Sequence, residues 1–326
     1  MGKWTARVAA ALHSIEEAAR RFGRRKIRST PFGEKNGKEP FNASGVVQVG
    51  PRRFVFVDNH DPSALFELAL TPDGGQAERI WRRPLVGLVE GQLLDPEGLA
   101  GVEHDGENLI IAASSLCVRN GNESGRQRLS DGLVRVRYTP SGDLHTEVLD
   151  GFRAWLLTHE PSLVEAAGRV PDEGGLNVEG VAWDPRTRAL VFGLRGPADA
   201  GRIAVVRVPV DAGGAPWAIS SLGAPSVLRI TVPKSSVRQG IRDISYDDQT
   251  GSFLIVLGRS KSTGNEPFQL CTWDGSSDEV RLLDVTFHKS MKPEGVTTFS
   301  DGCHQSILIV DDGGGYAVLD WPNRPH

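Results

Sequence analysis

The sequence predicts an all-β protein with a β-propeller architecture, and two observations lead to that prediction. From about residue 45 the chain is a series of short β-branched runs, broken by Gly, Pro, Asp and Asn. Within this series one phrase recurs: a short polar entry, a strand, a turn rich in Asp, Gly or Pro, and a second, strongly apolar strand. Five segments carry the phrase, at residues 42–60, 95–115, 177–196, 240–260 and 292–313.

The spacing of these repeats predicts the number of propeller blades. The entry residues are Ser44, Glu97, Glu179, Arg242 and Glu294. They are separated by 53, 82, 63 and 52 residues, and a four-stranded blade occupies about 40–50 residues. Five blades fit this spacing, and six fit if the interval 98–179 hides a degenerate blade. Two β-sandwich domains are the alternative, but they predict strands without a repeated phrase, so the repetition favours a propeller.

The remaining segments complete the predicted organisation. Residues 4–23 have apolar side chains at helical spacing along one face, which predicts an amphipathic helix. The helix and the basic residues that follow it form a segment 1–28, and the propeller is expected to occupy residues 29–326. An insertion at about 152–175 is partly helical by pattern and is expected to cover one end of the propeller. The last repeat has room for about three strands, so residues 26–32 are expected to supply its fourth strand and close the ring.

Composition restricts the compartment and the partners. With 37 Lys and Arg against 41 Asp and Glu, the formal net charge is −4, so nucleic-acid binding is not expected. No apolar run approaches the ~20 residues of a membrane helix. The three cysteines are scattered, and the N-terminal sequence does not resemble a secretory signal, so we expect a cytoplasmic protein. The expected partners are a small anionic substrate and, through helix 4–23, a protein partner or a second copy of the chain.

The charged entry residues predict a functional site at one mouth of the propeller channel. The first strand of each blade lines the channel, so the five entry residues form a ring at its mouth. The residue that follows each entry is glycine in four repeats (Gly45, Gly98, Gly180 and Gly295), which lets the backbones crowd the axis.

Three glutamates in one ring repel each other unless something neutralises them. Ca²⁺, Mg²⁺ or Mn²⁺ can do so through hard oxygen ligands. The candidate metal ligands are Glu97, Glu179, Glu294, Asp243 and Asp312. Arginines are the alternative, through bidentate ion pairs with the carboxylates. The arginines at the matching strand ends are Arg195, Arg242 and Arg259.

These residues favour a hydrolase. A carboxylate-bound metal activates water, arginines hold an anionic substrate, and a histidine at a strand end can act as a general base. The predicted catalytic residues are Glu97, Glu179, Glu294, Arg195, Arg242, Arg259 and His60. The predicted substrate is a small anionic ester, lactone or phosphoester. The alternative is a non-catalytic propeller that binds or scaffolds partners around a channel closed by Arg–Glu salt bridges.

Four phrases of the sequence also resemble a known family. They are LNVEGVAWDP (176–185), LVFGLRGP (190–197), GIRDISYD (240–247) and KPEGV (292–296). Over about residues 42–320 the chain resembles DUF3616, an uncharacterised bacterial family, which implies a β-propeller without an established activity. It is more distantly similar to phytase-like esterase propellers and to SMP-30/gluconolactonase propellers.

The distant resemblance implies a metal-bound carboxylate site that hydrolyses lactones or phosphate esters. One ligand of the lactonase pattern is a glutamate before glycine, which matches Glu97, Glu179 or Glu294 here. Arg242 stands where the pattern would place another ligand, so this chain departs from the pattern at that position.

Overall fold

The computed structural model describes residues 26–33, 40–119, 128–301 and 304–321. The predicted helix 4–23 and most of the basic segment 1–28 lie outside these residues. The described part is mostly β, as the sequence predicted, with two short α-helices. None of its helices has the length and apolar character that a membrane crossing requires.

Within the described residues, twenty strands form five four-stranded antiparallel units. Unit 1 contains β3 (Ala43–Gly50), β4 (Arg53–Asp58), β5 (Ala64–Ala69) and β6 (Trp81–Val86). Unit 2 contains β7 (Pro96–His104), β8 (Glu107–Ser114), β11 (Leu133–Tyr138) and β12 (Leu144–Leu149). Unit 3 contains β13 (Asn177–Asp184), β14 (Ala189–Asp199), β15 (Arg202–Pro209) and β16 (Ser226–Thr231). Unit 4 contains β17 (Gln239–Asp247), β18 (Ser252–Arg259), β19 (Gln269–Trp273) and β20 (Arg281–Leu282). Unit 5 contains β22 (Pro293–Asp301), β23 (His304–Asp311), β24 (Gly315–Asp320) and β2 (Thr30–Pro31).

The four other strands form two small pairs outside these units. One is parallel, between β1 (Lys26–Ile27) and β21 (Thr286–Phe287). The other is antiparallel, between β9 (Val118–Arg119) and β10 (Arg128–Leu129).

The first strands of the five units form a closed ring. β3 contacts β7, β7 contacts β13, β13 contacts β17, β17 contacts β22, and β22 returns to β3. The apolar core is divided in the same way, into five clusters of buried side chains that each join two neighbouring units. This arrangement is propeller-like, because each sheet buries both faces against its neighbours and its innermost strand faces a common axis.

The two ends of the described chain meet in unit 5. β2 pairs antiparallel with β24, with Thr30 opposite Tyr316 and Pro31 opposite Gly315. Phe32 then stacks on Phe56 at a ring-centroid distance of 5.1 Å and on Tyr316 at 5.6 Å. The prediction that residues 26–32 supply a fourth strand to the last repeat is therefore confirmed for Thr30–Pro31.

Units 1 and 2 share one eight-stranded sheet, which the sequence did not predict. Their outer strands β6 and β12 pair parallel, with Leu85 opposite Leu144 and Val86 opposite His145. Arg83 supports this junction because its guanidinium donates to the carbonyls of Thr139 and Gly142, which precede β12, at 2.8 and 2.9 Å.

The insertion predicted at about 152–175 contains α1 (Phe152–His159) and α2 (Val164–Ala167), with 3-10 turns at Pro161–Leu163 and Pro171–Glu173. The buried Arg153 holds it in place by donating to the carbonyls of Leu116 at 2.9 Å and Ala167 at 2.6 Å. Outside the insertion, a further 3-10 turn, Ile219–Ser221, precedes β16.

The insertion also contacts unit 4, where the Asp172 carboxylate accepts from the Ser262 amide at 2.8 Å. Because Ser262 lies just after β18, the insertion reaches the end of the ring where the first strands begin.

Candidate functional site

A β-bulge interrupts the first strand of every unit at the same place. The register shifts by one residue beside each entry position. In units 2 to 5 the extra, unpaired residue is the charged entry residue itself: Glu97, Glu179, Arg242 and Glu294. A bulge bends the strand and re-aims the side chain at the extra position. These four bulges explain how charged side chains from four different units can meet.

The glycines next to the entry residues pack backbone against backbone, as the sequence predicted. A Cβ atom added at Gly98 would lie 2.6 Å from the Val181 amide nitrogen, and one added at Gly180 would lie 2.6 Å from Asp243 Oδ1. One added at Gly295 would lie 3.1 Å from the Gly45 nitrogen. Real Cβ contacts are longer than this, so the ring closes only because these positions lack side chains.

We expect Gly180→Ala to destabilise the protein by about 1–3 kcal/mol, because the methyl group would force Asp243 and the β17 backbone to shift. The control is Gly101→Ala on β7, where the nearest atom to the new methyl group would be Val47 Cβ at 3.9 Å. Chemical unfolding of both variants measures the difference. Equal losses of stability in the two would show that the units are not closely packed at Gly180.

Arg242 lies between two of the glutamates. Its Nε donates to Glu294 Oε2 at 2.7 Å, and its second terminal nitrogen donates to Glu294 Oε1, so this ion pair is bidentate. The same terminal nitrogen lies 3.3 Å from Glu179 Oε2. All three side chains are buried. Burial alone would lower the pKa of Arg242, but the charges of Glu179 and Glu294 outweigh it and raise the pKa above its ordinary value.

Glu179 has two more donors beyond Arg242. Asn177, two residues earlier on β13, donates its amide to Glu179 Oε1 at 2.7 Å. Arg195, on β14, donates to the same oxygen at 3.0 Å. Two guanidinium groups and one amide therefore surround this carboxylate, and hydrogen bonds from a charged donor are stronger than those from a neutral one.

Glu97 lies at the edge of the charged group, away from a direct arginine contact. It accepts one hydrogen bond, from the Asn59 amide at 2.9 Å. Burial raises the pKa of Glu97 well above its ordinary value, and the charges of Glu179, Asp95 and Glu294 raise it further, while Arg242 opposes them. Burial also raises the pKa of Glu294 to about 7, although its ion pair with Arg242 acts in the opposite direction. The site therefore combines a carboxyl group that favours its uncharged form with two that are paired to arginine.

Other candidate residues from the sequence lie near the ring but bond elsewhere. Asp243 is fully buried and accepts from the Val296 amide at 2.6 Å, and burial raises its pKa well above the ordinary value. The Asp312 carboxylate accepts from Lys292 Nζ at 3.1 Å. His60 is half exposed, with Nδ1 3.6 Å from Asp58 Oδ1. Arg259 donates to the carbonyls of Ser262 and Gly264, so its guanidinium supports the loop after β18.

The donor set of the ring does not fit a divalent cation. Such an ion needs several carboxylate oxygens facing one point, whereas Arg242 lies between Glu294 and Glu179 and takes oxygens of both. Within the described residues, no three or more His, Cys, Asp or Glu side chains are grouped so that they could hold a metal ion. The arrangement favours the alternative in which arginines neutralise the glutamates.

Three buried polar atoms at the ring have no hydrogen-bond partner among the described residues. They are Arg195 Nε, Asn59 Oδ1 and Asp243 Oδ1. Buried polar atoms are rarely left unsatisfied in a folded protein, so a water molecule or a ligand is expected beside them. Arg195 supplies a donor and Asn59 an acceptor, which together suit a ligand with both an anionic and a hydroxyl group.

The sequence missed two parts of this site. Asn177 contacts Glu179, and the signal that could have found it is its position two residues before the entry residue on a strand. Asp95 lies one residue before β7 and accepts from Ser115 Oγ at 2.6 Å, and its charge acts on Glu97. Its positive φ of 56° is a local backbone feature that residue spacing cannot indicate.

Comparisons with known proteins find matches only at very low identity. No protein-family model matches the chain, and no curated protein matches it in sequence. A GH43 β-1,3-galactosidase solved with galactodeoxynojirimycin is 9% identical with a TM-score of 0.48, over 90% of this chain and 94% of that one. The allergen Mala s 1 of Malassezia sympodialis is 11% identical with a TM-score of 0.44, over 86% and 92%. A Bombyx mori GH32 β-fructofuranosidase is 8% identical with a TM-score of 0.42, over 98% and 67%. At these values, the activity has to be argued from the side chains themselves.

Proposed function

We propose that this chain is a five-bladed β-propeller in which each four-stranded unit is one blade. We further propose that it hydrolyses a small anionic ester, lactone or phosphoester at the ring formed by Glu97, Glu179, Arg242 and Glu294. The observation that supports this proposal is the pairing of a carboxyl group that favours its uncharged form with carboxylates held by arginine, all in one buried cluster. Membership of DUF3616 stays a prediction from the resembling phrases.

The two glutamates with raised pKa values suit the two halves of acid–base catalysis. In this proposal Glu294, whose pKa is about 7, takes a proton from water as the water attacks the carbonyl carbon or phosphorus. Glu97 gives its proton to the departing oxygen. Glu294 thus gains one proton and Glu97 loses one, while the ester is converted to an acid and an alcohol. Proton exchange with solvent then restores both glutamates.

The arginines suit an anionic substrate. Arg195 has a buried Nε without a partner, and its side chain is 16% exposed, which makes it the most accessible cation of the cluster. An anionic group on the substrate would accept from this nitrogen, while Arg242 would offset the charge that develops at the reacting centre. The proposal does not use Arg259 or His60 for the chemistry, because their contacts lie with a loop and with Asp58.

The metal predicted from the sequence stays a prediction, and no step of this mechanism passes through it. A metal would require Arg242 to leave both Glu179 and Glu294, because it uses oxygens that would have to bind the ion. We therefore expect hydrolysis to be unchanged by EDTA and by added Ca²⁺, Mg²⁺ or Mn²⁺.

A non-catalytic propeller is the second candidate. The observation that favours it is that two arginines, Arg195 and Arg242, already pair with Glu179 and Glu294, as in a purely structural plug. In that case the functional surface would lie elsewhere, for example on the insertion or on the segment 1–28, which lies mainly outside the described residues.

Hydrolysis assays separate the two candidates. We expect the purified protein to hydrolyse at least one compound of a panel of 4-nitrophenyl phosphate, carboxylated 4-nitrophenyl esters and carboxylated lactones. For that compound Glu97→Gln is expected to reduce kcat by about 10²–10⁴-fold, the usual contribution of a general acid. Arg195→Met is expected to raise KM more than it lowers kcat.

The matched control is Glu107→Gln, which makes the same substitution on an exposed residue paired with Arg137 at the other end of the strand hairpin. Its activity should equal that of the wild type. If no panel compound is hydrolysed, or if Glu97→Gln retains the activity of Glu107→Gln, the hydrolase proposal is wrong and the structural plug is favoured.

A further inference from the structure

A cavity opens at the opposite end of the ring from the glutamates. Its volume is about 760 Å³, and its lining comes from the later residues of the first strands in all five units. On β7, for example, the ring residue Glu97 and the lining residue Glu103 are six positions apart. At about 3.3 Å per residue this places Glu103 about 20 Å from Glu97, whereas the deepest lining residues, such as Leu99 and Val181, lie two positions from a ring residue. The acidic rim of the cavity is therefore distant from the proposed catalytic site.

The charged side chains that line this cavity are both acidic. Glu103 of β7 and Asp248, which follows β17, belong to the lining, and among the described lining residues none is Lys, Arg or His. Burial raises the pKa of Asp248, and the negative charges of Asp247 and Glu103 raise it further. The two lining carboxylates therefore influence each other. Two like charges that face one space favour a positively charged occupant.

Aromatic rings are the second feature of the cavity lining that favours a positively charged occupant. Trp183, from the end of β13, and Tyr246, from the end of β17, line the cavity and are partly exposed. The faces of such rings attract cations, and Trp is the strongest of them. Tyr246 already shows this property, because the Arg186 guanidinium lies 5.1 Å from its ring centroid. Arg186 is ion-paired with Asp184 and does not line the cavity, and no ion pair of Glu103 or Asp248 occurs among the described residues.

The uncharged lining residues also restrict the kind of ligand that can fill the cavity. Gln48, Asn108 and Ser300 supply exposed hydrogen-bonding groups at the rim, whereas Leu99, Val47 and Val181 supply apolar surface deeper in the channel. A volume of about 760 Å³ is within the range of small-molecule sites. A hydrated metal ion would leave the aromatic and apolar surface unused, so an organic body is the better match.

We propose that this cavity binds an organic ammonium ion, with its cationic head between Glu103, Asp248, Trp183 and Tyr246 and its apolar part in the channel. The site is independent of the proposed hydrolysis at the other end of the ring, and it takes a ligand of opposite charge.

Calorimetric titration with choline and with butylammonium tests this proposal. The matched probe is 3,3-dimethylbutan-1-ol, which has the shape of choline without its charge. We expect saturable binding of at least one ammonium ion, and at least about tenfold weaker binding of the alcohol. Asp248→Asn and Glu103→Gln should each weaken ammonium binding by about three- to fivefold.

Asp105→Asn is the control variant. It removes one negative charge from the turn that follows β7, its side chain is 89% exposed, and it does not line the cavity. Its affinity should equal that of the wild type. The proposal would be overturned by no saturable binding of either ammonium ion, by equal binding of the neutral alcohol, or by equal affinities in Asp105→Asn, Asp248→Asn and Glu103→Gln. Loss of binding in Glu97→Gln alone would place the ammonium ion at the other end of the ring and would also overturn it.

Discussion

Replacing Arg242 with methionine is expected to lower the free energy of unfolding at pH 7 by about 3–5 kcal/mol. Arg242 is buried, and its guanidinium holds Glu294 through a bidentate ion pair and also contacts Glu179. Methionine fills much of the same space but leaves Glu294 in a dry environment without its cation. The loss comes mainly from that uncompensated carboxylate and much less from the missing attraction.

A double substitution separates these two contributions. In Arg242→Met/Glu294→Gln the orphaned charge is absent, so most of the stability should return. If the double variant is as unstable as the single one, the loss reflects packing of the arginine stem, and the ion pair is not what holds this region together.

The control for this experiment is Arg137→Met, which breaks the exposed pair between Arg137 and Glu107. Because both partners are largely solvated, the change should be below about 1 kcal/mol. Urea unfolding of the four proteins, followed by tryptophan fluorescence, gives the comparison.

The repeat phrase predicted much of the fold because it reflects a physical constraint common to all five units. Each unit must bring a strand to a crowded axis, and Gly98, Gly180 and Gly295 are there because no side chain fits. The same constraint fixes the bulge, and so the position of the charged residue before each glycine. The strand Thr30–Pro31 was predictable for a related reason, because β24 would otherwise leave an open edge in unit 5.

The pairing of charges could not be predicted in the same way. Arg195 of β14 and Arg259 of β18 both lie beside the start of the first strand of their unit. Arg195 nevertheless bonds to Glu179, whereas Arg259 bonds to the carbonyls of its own following loop. That difference depends on side-chain torsions and on the conformation of the loop 260–268, which spacing along the chain does not determine. The parallel junction between β6 and β12 was equally hidden, because both strands read as ordinary outer strands.

The pH dependence of stability offers the sharpest test of Glu97. Its folded-state pKa lies well above the value of about 4.5 for an unfolded carboxyl group. The folded protein therefore holds a proton that the unfolded chain releases above that pH. The stability from this group is complete at low pH, and it is lost progressively as pH rises from the unfolded pKa through the folded one.

Glutamine in place of Glu97 keeps an acceptor for the Asn59 amide but never ionises. We therefore expect Glu97→Gln to match the wild type near pH 4 and to melt at least about 3 °C higher at pH 8. The Glu107→Gln control, on an exposed group, should show the same melting temperature as the wild type at both pH values.

Glu97→Gln is thus predicted to gain stability and lose hydrolysis, which is the behaviour of a group placed for chemistry at the expense of the fold. If the variant gains stability and no substrate of the panel is found, the buried acid is only a strained part of the ring. If it loses stability at pH 8, the carboxyl group is ionised in the folded protein, and the proposed general acid would have to be another group.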